Sequence, residues 1–287
     1  MFSRAFLNLG LLLVVVGLAV YAFTDDGPQP SAQPALLKTD GTPEITRVRI
    51  ERTGENAVEL AKVDGQWQLQ APIKWPANSF RVKALLDVRR TPTFGSWPAA
   101  APDLPRYNLA PPLARLFLDQ TEIRFGDTEP LNQRRYLQVG DTVYVSEDRA
   151  YHNIAGAPAV LMHPAILGPA ARPVSIELPG VRIWQEDGRW VTQPERKDLG
   201  ADDLNAFADA WRQAQSTSVQ AKPPRFQGSS TVVVTLEGRD EPLRFDVKQT
   251  KYEVLLSRDA LGVQYHLPRS AAEKLLQVKA PTKKKKP

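Results

Sequence analysis

Two stretches of this 287-residue chain repeat one pattern: Asp64-Gly65-Gln66-Trp67 and Asp187-Gly188-Arg189-Trp190. In each stretch an Asp-Gly pair precedes a tryptophan, and a proline and a run typical of an amphipathic helix follow. Asp-Gly tolerates the positive φ angles of a type I′ turn, so each stretch predicts two antiparallel strands joined by a tight hairpin. The stretches lie about 123 residues apart, a spacing that indicates a duplicated module.

The segments around these turns predict the fold class. Apolar and polar residues alternate with period two, as in Arg47–Glu51, which is typical of half-buried antiparallel strands. An apolar stripe with helical spacing follows each tryptophan strand, beginning near Asn78 or Ser79 in the first copy and near Asp202 in the second. We therefore predict an α+β fold: an N-terminal transmembrane helix followed by two repeated modules of antiparallel β-sheet, each packed with an amphipathic helix.

An almost unbroken apolar run occupies residues 5–23. At ~1.5 Å of rise per residue, a helix of this length nearly spans a hydrocarbon core of ~30 Å. Arg4 precedes the run and Asp25 and Asp26 follow it, so the positive-inside rule places the N-terminus in the cytoplasm and the body in the bacterial periplasm. This interpretation predicts a single-pass protein of the inner membrane. A signal peptide cleaved after Ala22 is the alternative.

Changes in composition divide the chain further. Prolines cluster between the patterned segments, which favours rigid connectors over disorder. The predicted parts, in chain order, are a cytoplasmic N-terminus (1–4), the anchor (5–23), a proline-rich tether (24–43), a first α+β module (44–154), a connector (155–173), a second α+β module (174–278) and a lysine-rich disordered tail (279–287).

The net charge of +5 is carried by the tail rather than by the body, because Lys279, Lys283, Lys284, Lys285 and Lys286 stand there without an acidic residue. A nucleic-acid-binding domain carries its excess charge on a folded face, so nucleic acid is excluded as a partner. The tail is either a disordered solubilising end or, through its last four lysines, a contact for anionic lipid headgroups. The chain has no cysteine, which excludes disulfides and thiolate metal sites.

Several short motifs are shared with one bacterial family. They are Ile45–Val48, Asp64–Trp67 with Pro72, Pro76–Asn78, Tyr107–Leu109 with Pro112, Phe125–Gly126, Arg135–Leu137 and Val143–Val145. On these motifs and the N-terminal anchor, the chain resembles the membrane-anchored proteins of domain of unknown function 4340, over about residues 44–276. The resemblance implies a gene beside components of ABC-type transporters related to those of gliding motility. It implies no known activity.

The sequence lacks the motifs of catalysis and metal binding. His152, His163 and His266 are spread along the chain without ligand spacing. Neither Gly-x-Ser-x-Gly nor Ser-x-x-Lys occurs, and no glycine-rich loop is present that would cradle a phosphate. We therefore predict no catalytic residue, no cofactor and no metal, and a protein that is not an enzyme.

The tryptophans divide by position. Trp67, Trp190 and Trp211 fall on predicted core faces, where packing is the favoured role. Trp75 and Trp97 lie in proline-rich segments of the first copy only. Tryptophan is enriched among the residues that dominate binding energy, so these two are candidate interaction residues. Closure of the sheet edge is the alternative role for each.

Arg134-Arg135-Tyr136 is a second candidate interaction site, and Lys251-Tyr252 repeats it in part. A cation stacked on an aromatic ring, in a site for an anion, is one interpretation. A solvated strand edge protected by charge is the other.

These observations favour a non-catalytic accessory or scaffold of an envelope machine, with the lipid bilayer of the inner membrane and an ABC-type permease as partners. The anchor, the tether, the duplication and the lack of catalytic motifs support this hypothesis. The alternative is a periplasmic binding module for an envelope glycan, lipid or peptide that uses the cleft between the copies. An enzyme with an unrecognised site is the third hypothesis.

Overall fold

The computed structural model describes residues 10–17, 33–37, 41 and 43–278. They form two antiparallel sheets, one of nine strands and one of eight. Short helices pack against the sheets, and buried apolar residues of both sheets belong to one continuous core, which we call the main core.

The elements have the following bounds. The first sheet contains β1 (Arg47–Arg52), β2 (Val58–Val63), β3 (Gln66–Ala71), β4 (Trp75–Pro76), β5 (Thr93–Pro98), β6 (Ala114–Leu118), β7 (Thr121–Thr128), β8 (Arg135–Val139) and β9 (Thr142–Ser146). The second contains β10 (Pro173–Leu178), β11 (Val181–Glu186), β12 (Arg189–Gln193), β13 (Ser218–Ala221), β14 (Ser230–Leu236), β15 (Leu243–Gln249), β16 (Glu253–Arg258) and β17 (Val263–Pro268). The helices are α1 (residues 10–17), α2 (Ser79–Leu86), α3 (Tyr151–Ala155), α4 (Ala201–Arg212) and α5 (Arg269–Leu276), with 3-10 helices η1 (Asp87–Arg90), η2 (Leu104–Tyr107), η3 (Ala159–Leu161) and η4 (Asp259–Leu261).

The two sheets share one strand order. Across the first sheet it is β4-β3-β2-β1-β6-β7-β8-β9-β5, and across the second it is β12-β11-β10-β14-β15-β16-β17-β13. Apart from β4, which has no counterpart, the orders correspond strand for strand. In each sheet the chain builds three adjacent strands, to which the first sheet adds β4, and passes through α2 or α4 to the far edge at β5 or β13. It then fills the strands between.

The repeated Asp-Gly turns have the same backbone conformation in both sheets. The φ angles are 49° and 77° at Asp64 and Gly65, and 48° and 76° at Asp187 and Gly188. Two successive positive φ angles define the type I′ turn, whose twist matches that of the flanking strands. The two predicted hairpins, β2 with β3 and β11 with β12, are therefore confirmed.

The predicted α+β class is wrong. Strands dominate the described residues, and the helices range from 5 residues in α3 to 12 in α4. A helix of 8 residues, such as α2, covers only a small part of a nine-stranded sheet. The architecture is therefore mainly that of two large antiparallel sheets, with helices as minor packing elements.

The predicted transmembrane anchor is contradicted as well. The helix α1 covers residues 10–17, which is about 12 Å of length against the ~30 Å of a hydrocarbon core. Within the described residues no helix is both long enough and apolar enough to span a membrane. This finding also contradicts the predicted inner-membrane location with a cytoplasmic N-terminus and a periplasmic body. Residues 5–9 and 18–23 of that segment, and the alternative cleavage site after Ala22, lie outside the described residues.

Part of the predicted tether is packed on the body. Leu36 is buried, and its N–H donates to the carbonyl oxygen of Thr91 at 3.0 Å. The N–H of Leu37 donates to the carbonyl oxygen of Arg89 at 2.9 Å. Residues 33–37 therefore run beside η1 and the start of β5. The predicted boundaries of the modules, the connector and the tail stay predictions.

The predicted connector, residues 155–173, joins the two sheets. Met162 forms an antiparallel bridge with Ala77, next to β4 of the first sheet. Ala165 forms another with Gln215, just before β13 of the second. Apolar side chains of the connector belong to the main core. The connector is therefore a packed element that both sheets share.

Candidate functional site

Three aromatic rings cluster at one edge of the first sheet, and we call them the aromatic patch: Trp97, Tyr107 and Tyr136. The ring centroids lie 5.7 Å apart for Trp97 and Tyr107, 6.3 Å for Trp97 and Tyr136, and 4.6 Å for Tyr107 and Tyr136. Tilted and edge-to-face pairs at such distances are favourable. All three residues are half-buried, so the patch presents part of its aromatic surface to solvent.

Strand register places the patch on the sheet face opposite the main core. Trp97 is opposite Val143, and Val143 is opposite Gln138. Cross-strand partners share a face, as do residues two apart on one strand, so Tyr136 lies on this face too. Leu137, which alternates with Tyr136, belongs to the main core.

The third ring comes from η2, which covers this face. Leu104 and Leu109, at the start of η2 and just after it, are buried with Val143 in a small second core beneath the patch. Gly126 on β7 permits the close approach, because a Cβ atom there would lie 2.2 Å from the carbonyl oxygen of Tyr107. A glycine at this position is therefore needed for η2 to seat its tyrosine against the sheet.

Charged groups flank the patch. The Arg106 guanidinium lies 4.9 Å from the ring centroid of Tyr107, and its side chain is 66% exposed. Burial raises the pKa of the Tyr136 phenol, and the carboxylate of Glu129 raises it further. Tyr136 is therefore a protonated hydrogen-bond donor at neutral pH, and the patch combines aromatic surface with a donor and an exposed cation.

Strand alternation divides the predicted site at Arg134, Arg135 and Tyr136. Tyr136 joins the patch, and the Arg134 guanidinium stacks 3.4 Å from the ring centroid of Phe94 on the edge strand. Arg135 is buried and pairs with Asp148 at 2.8 Å. Arg135 therefore stabilises the fold, while its two neighbours remain partly accessible.

Trp75 is buried, contrary to the exposure that its proline-rich surroundings suggest. It is 7% exposed, and its Nε1 donates to the carbonyl oxygen of His163 at 3.4 Å. The Arg258 guanidinium of the second sheet lies 5.0 Å from its ring centroid. Trp75 therefore packs where the first sheet, the connector and the second sheet meet, and is not open to a ligand.

The second sheet has no equivalent patch among its described residues. Its edge strand β13, the counterpart of β5, reads Ser-Val-Gln-Ala and carries no aromatic side chain. The partial repeat Lys251-Tyr252 lies in the turn before β16, where Tyr252 is 78% exposed and the Lys251 Nζ lies 5.3 Å from its ring centroid. The aromatic patch is thus a feature in which the two sheets differ.

Sequence reasoning missed Arg106 and Tyr107 as members of the site. Tyr107 entered only through a motif of the family resemblance. The available signal was the pair Leu104 and Leu109 on either side, which indicates a segment anchored to a sheet. The face that it covers depends on the contact with Gly126, which is distant in sequence.

Metal ligands do not cluster in the part of the chain that the structure describes: no group of three or more His, Cys, Asp or Glu side chains there could hold a metal ion. His266 Nδ1 lies 3.0 Å from Glu253 Oε2. His163 Nδ1 accepts a hydrogen bond from the Ala165 N–H at 3.2 Å, and burial lowers the pKa of His163. The predicted lipid contacts, Lys283–Lys286, lie outside the described residues.

Comparisons with protein-family models, with curated proteins and with solved structures found no match. The resemblance to domain of unknown function 4340 therefore stays a prediction. Fold and site together define a protein of two large antiparallel sheets with one strand order, in which the first sheet carries a partly exposed aromatic patch beside an edge strand.

Proposed function

We propose that the protein is a non-catalytic scaffold that binds a partner protein through the aromatic patch. The half-exposed cluster of Trp97, Tyr107 and Tyr136 carries this proposal. Trp, Tyr and Arg are the residue types that dominate the binding energy of protein interfaces. Arg106, 4.9 Å from the Tyr107 ring, adds the third of these types.

The rings are held in place before any partner arrives. Trp97 stands on β5 and Tyr136 on β8, and both strands pair with β9. Tyr107 is seated by the buried leucines Leu104 and Leu109. A side chain that is already ordered loses little conformational entropy on binding. The contact area of the patch therefore contributes to affinity with a small ordering cost.

The edge strand beside the patch favours a protein partner over a small ligand. β5 pairs with β9, and among the described residues no strand pairs with the outer side of Gly95–Pro98. Gly95 and Ser96 are exposed. An unpaired edge can accept a strand of another chain through main-chain hydrogen bonds. The adjacent rings would then supply contacts to its side chains.

A component of an ABC-type transporter is the first partner to test, because the family resemblance implies one. A binding module for a glycan, lipid or peptide is the alternative function, and it would use the same rings. The two are distinguished by whether a protein is found in contact with the patch inside the cell.

Photo-cross-linking of the full chain tests the proposal. The photoreactive residue p-benzoylphenylalanine replaces Trp97 in one strain and Tyr252 in another, since Tyr252 is an exposed aromatic residue beside a cation on the other sheet. We expect a discrete protein adduct from position 97 alone. Adding Arg106→Glu should abolish it, and should weaken binding of the identified partner to the purified chain by about tenfold or more.

Three results would overturn the proposal. They are the absence of a protein adduct at position 97, equal adducts at positions 97 and 252, and an adduct that persists unchanged with Arg106→Glu. A circular dichroism spectrum of each variant that matches the original chain shows that the fold is intact.

A further inference from the structure

A groove opens beside the repeated tryptophan of the first sheet, and we call it the first groove. Its volume is about 210 Å³. The lining residues that matter here are Glu44, Ile45, Trp67, Leu86, Arg89 and Arg90. Leu69, two residues beyond Trp67 on β3, belongs to the main core, so the groove lies on the face opposite the aromatic patch.

Among the residues that the structure describes, the lining of the first groove has an excess of positive charge. Glu44 is balanced by Lys62, whose Nζ lies 2.5 Å from its Oε1. Arg89 Nε donates to the carbonyl oxygen of Leu86 at 3.2 Å, and Arg90 is exposed. Among the described residues no carboxylate oxygen lies within 4.0 Å of a nitrogen of either arginine. Both guanidinium groups therefore line the groove without a partner anion from the described protein.

The second sheet contains a corresponding groove in which the charges are balanced. It lies beside Trp190 and also has a volume of about 210 Å³. Arg172 pairs with Glu237 at 3.3 Å, and Arg212 pairs with Asp209 at 2.9 Å. All four charged residues line this second groove. The two grooves thus share their place in the fold and their tryptophan, and differ in the net charge of their described lining residues.

We infer that the first groove binds a short acidic peptide segment. A guanidinium group can donate two parallel hydrogen bonds to one carboxylate, and such charge-assisted pairs are stronger than neutral hydrogen bonds. Trp67 adds an apolar wall against which the methylene groups of a glutamate side chain can pack. The groove therefore offers both parts of the recognition that a glutamate in an extended segment requires.

The size of the groove limits the bound unit. Drug-sized ligands occupy pockets of about 300–1,000 Å³, and this groove is smaller at about 210 Å³. It accommodates one or two side chains of a peptide and leaves the rest of the segment on the surface. Because the groove and the aromatic patch lie on opposite faces, a peptide side chain in the groove does not contact the rings of the patch, and the tests of the two sites can fail separately.

The indole N–H signals of the full chain, followed by NMR spectroscopy, test this site. An end-blocked tetraglutamate peptide is titrated in, and a tetraglutamine peptide of equal length serves as control. The variants Trp67→Phe and Trp190→Phe identify the signals of the two grooves. We expect the Trp67 signal to shift to saturation with tetraglutamate only, and the Trp190 signal to stay in place.

Arginine variants connect the shift to the proposed contacts. The double variant Arg89→Gln with Arg90→Gln is expected to bind tetraglutamate about tenfold or more weakly, because charge-assisted hydrogen bonds are lost. Arg212→Gln removes an arginine from the second groove and should leave the affinity unchanged. Unshifted signals of the remaining tryptophans show that each variant is folded, and Arg90→Gln alone replaces the double variant if that one is not.

The inference is overturned by an unmoved Trp67 signal, by equal shifts with tetraglutamine, or by equal shifts at Trp67 and Trp190. It is also overturned if the arginine variants bind tetraglutamate as tightly as the original chain. Binding that weakens with rising salt concentration would support it, since exposed charge pairs are screened by ions.

Discussion

Arg258 places a charge inside the protein, and its surroundings balance that charge poorly. The residue is 4% exposed, and its Nη1 has no hydrogen-bond partner among the described residues. Burial lowers its pKa. The ring of Trp75, 5.0 Å away, provides a cation–π contact, which compensates only in part for the loss of water.

Replacing this charge by an apolar side chain of similar length should stabilise the protein. We expect Arg258→Met to raise the free energy of unfolding by about 1 kcal/mol, because the cost of desolvating the guanidinium disappears. Arg258→Ala should lower it by about 2 kcal/mol, because it leaves a cavity beside Trp75. Urea denaturation measures both. Equal destabilisation by the two variants would show that the charge itself is stabilising.

Tyr265 should make stability depend on alkaline pH. Burial raises its pKa to about 12, against the opposing effect of Arg258, while a tyrosine in the unfolded chain titrates near 10. The phenolate therefore forms first in the unfolded chain. The stabilisation from the neutral phenol is complete below about pH 10 and is lost, at about 1.4 kcal/mol per pH unit, as the pH rises toward 12.

Tyr265→Phe removes this titration. Urea denaturation of both chains between about pH 9 and about pH 11 should give a flatter decline of stability for the variant. Parallel curves would mean that Tyr265 does not titrate differently in the folded and unfolded states.

At the level of single residues, the sequence predicts burial correctly where the local spacing of apolar residues determines it. The prediction fails where contacts with residues distant in the chain determine burial. Trp211 lies on a helical stripe and is fully buried, as predicted. Trp67 and Trp190 follow the strand alternation but are only half-buried, because each lines a groove at the edge of a helix. Trp75 is covered by the connector and by Arg258, and neither is visible in its local sequence.

The 3-10 helix η2 depends on one glycine of the strand beneath it. In Gly126→Ala the new Cβ would meet the backbone oxygen of Tyr107 at 2.2 Å. Backbone cannot rotate away as a side chain can, so η2 must shift. We expect a loss of about 1–3 kcal/mol in the free energy of unfolding. The cross-link from position 97 should also be lost, because Tyr107 leaves the patch.

Gly95→Ala on β5 is the matched control. A Cβ atom at Gly95 would come no closer than 4.0 Å to the ring of Trp97, which is ordinary contact. This variant should keep its stability. If the two glycine variants behave alike, the seating of η2 on Gly126 does not determine the patch.

Elements with local signals are predicted best. The Asp-Gly turns predict the hairpins, and Asn78 caps α2, accepting hydrogen bonds from the N–H groups of Phe80 and Arg81 at 3.1 and 3.3 Å. The bridging role of β4 and the edge position of β5 have no such signal. Their places follow from pairing with strands that come earlier or later in the chain.

The whole molecule should unfold as one unit, because both sheets and the connector share the main core. Leu161 of the connector is fully buried in it. We expect Leu161→Ala to cost about 3 kcal/mol, and amide hydrogen exchange should show the same loss of protection in both sheets. The control Leu131→Ala, at a residue that is 87% exposed, should change stability by less than about 0.5 kcal/mol. A loss confined to one sheet would show that the sheets unfold separately.

At the scale of the whole molecule, the sequence predicts the repeat correctly but not the class of the fold. Copies of the hairpin are recognisable because a type I′ turn requires particular residues. The number of strands in each sheet cannot be recognised in the same way, because alternation alone leaves the order and the pairing of the strands open. The apolar run at residues 5–23 suggested a membrane span from length and composition, and the described helix at residues 10–17 is too short to be one.

The connector also gives the molecule a natural place to be split. Its exposed residues Pro169 and Ala170 lie shortly before β10, so a break there leaves the bridge to Ala77 inside one fragment and places the bridge to Gln215 between the two. The Ile166 N–H donates to the carbonyl oxygen of Ala214 at 3.1 Å across that same boundary. Two separately encoded halves would therefore carry complementary surfaces, and their reassembly would restore one scaffold from two genes.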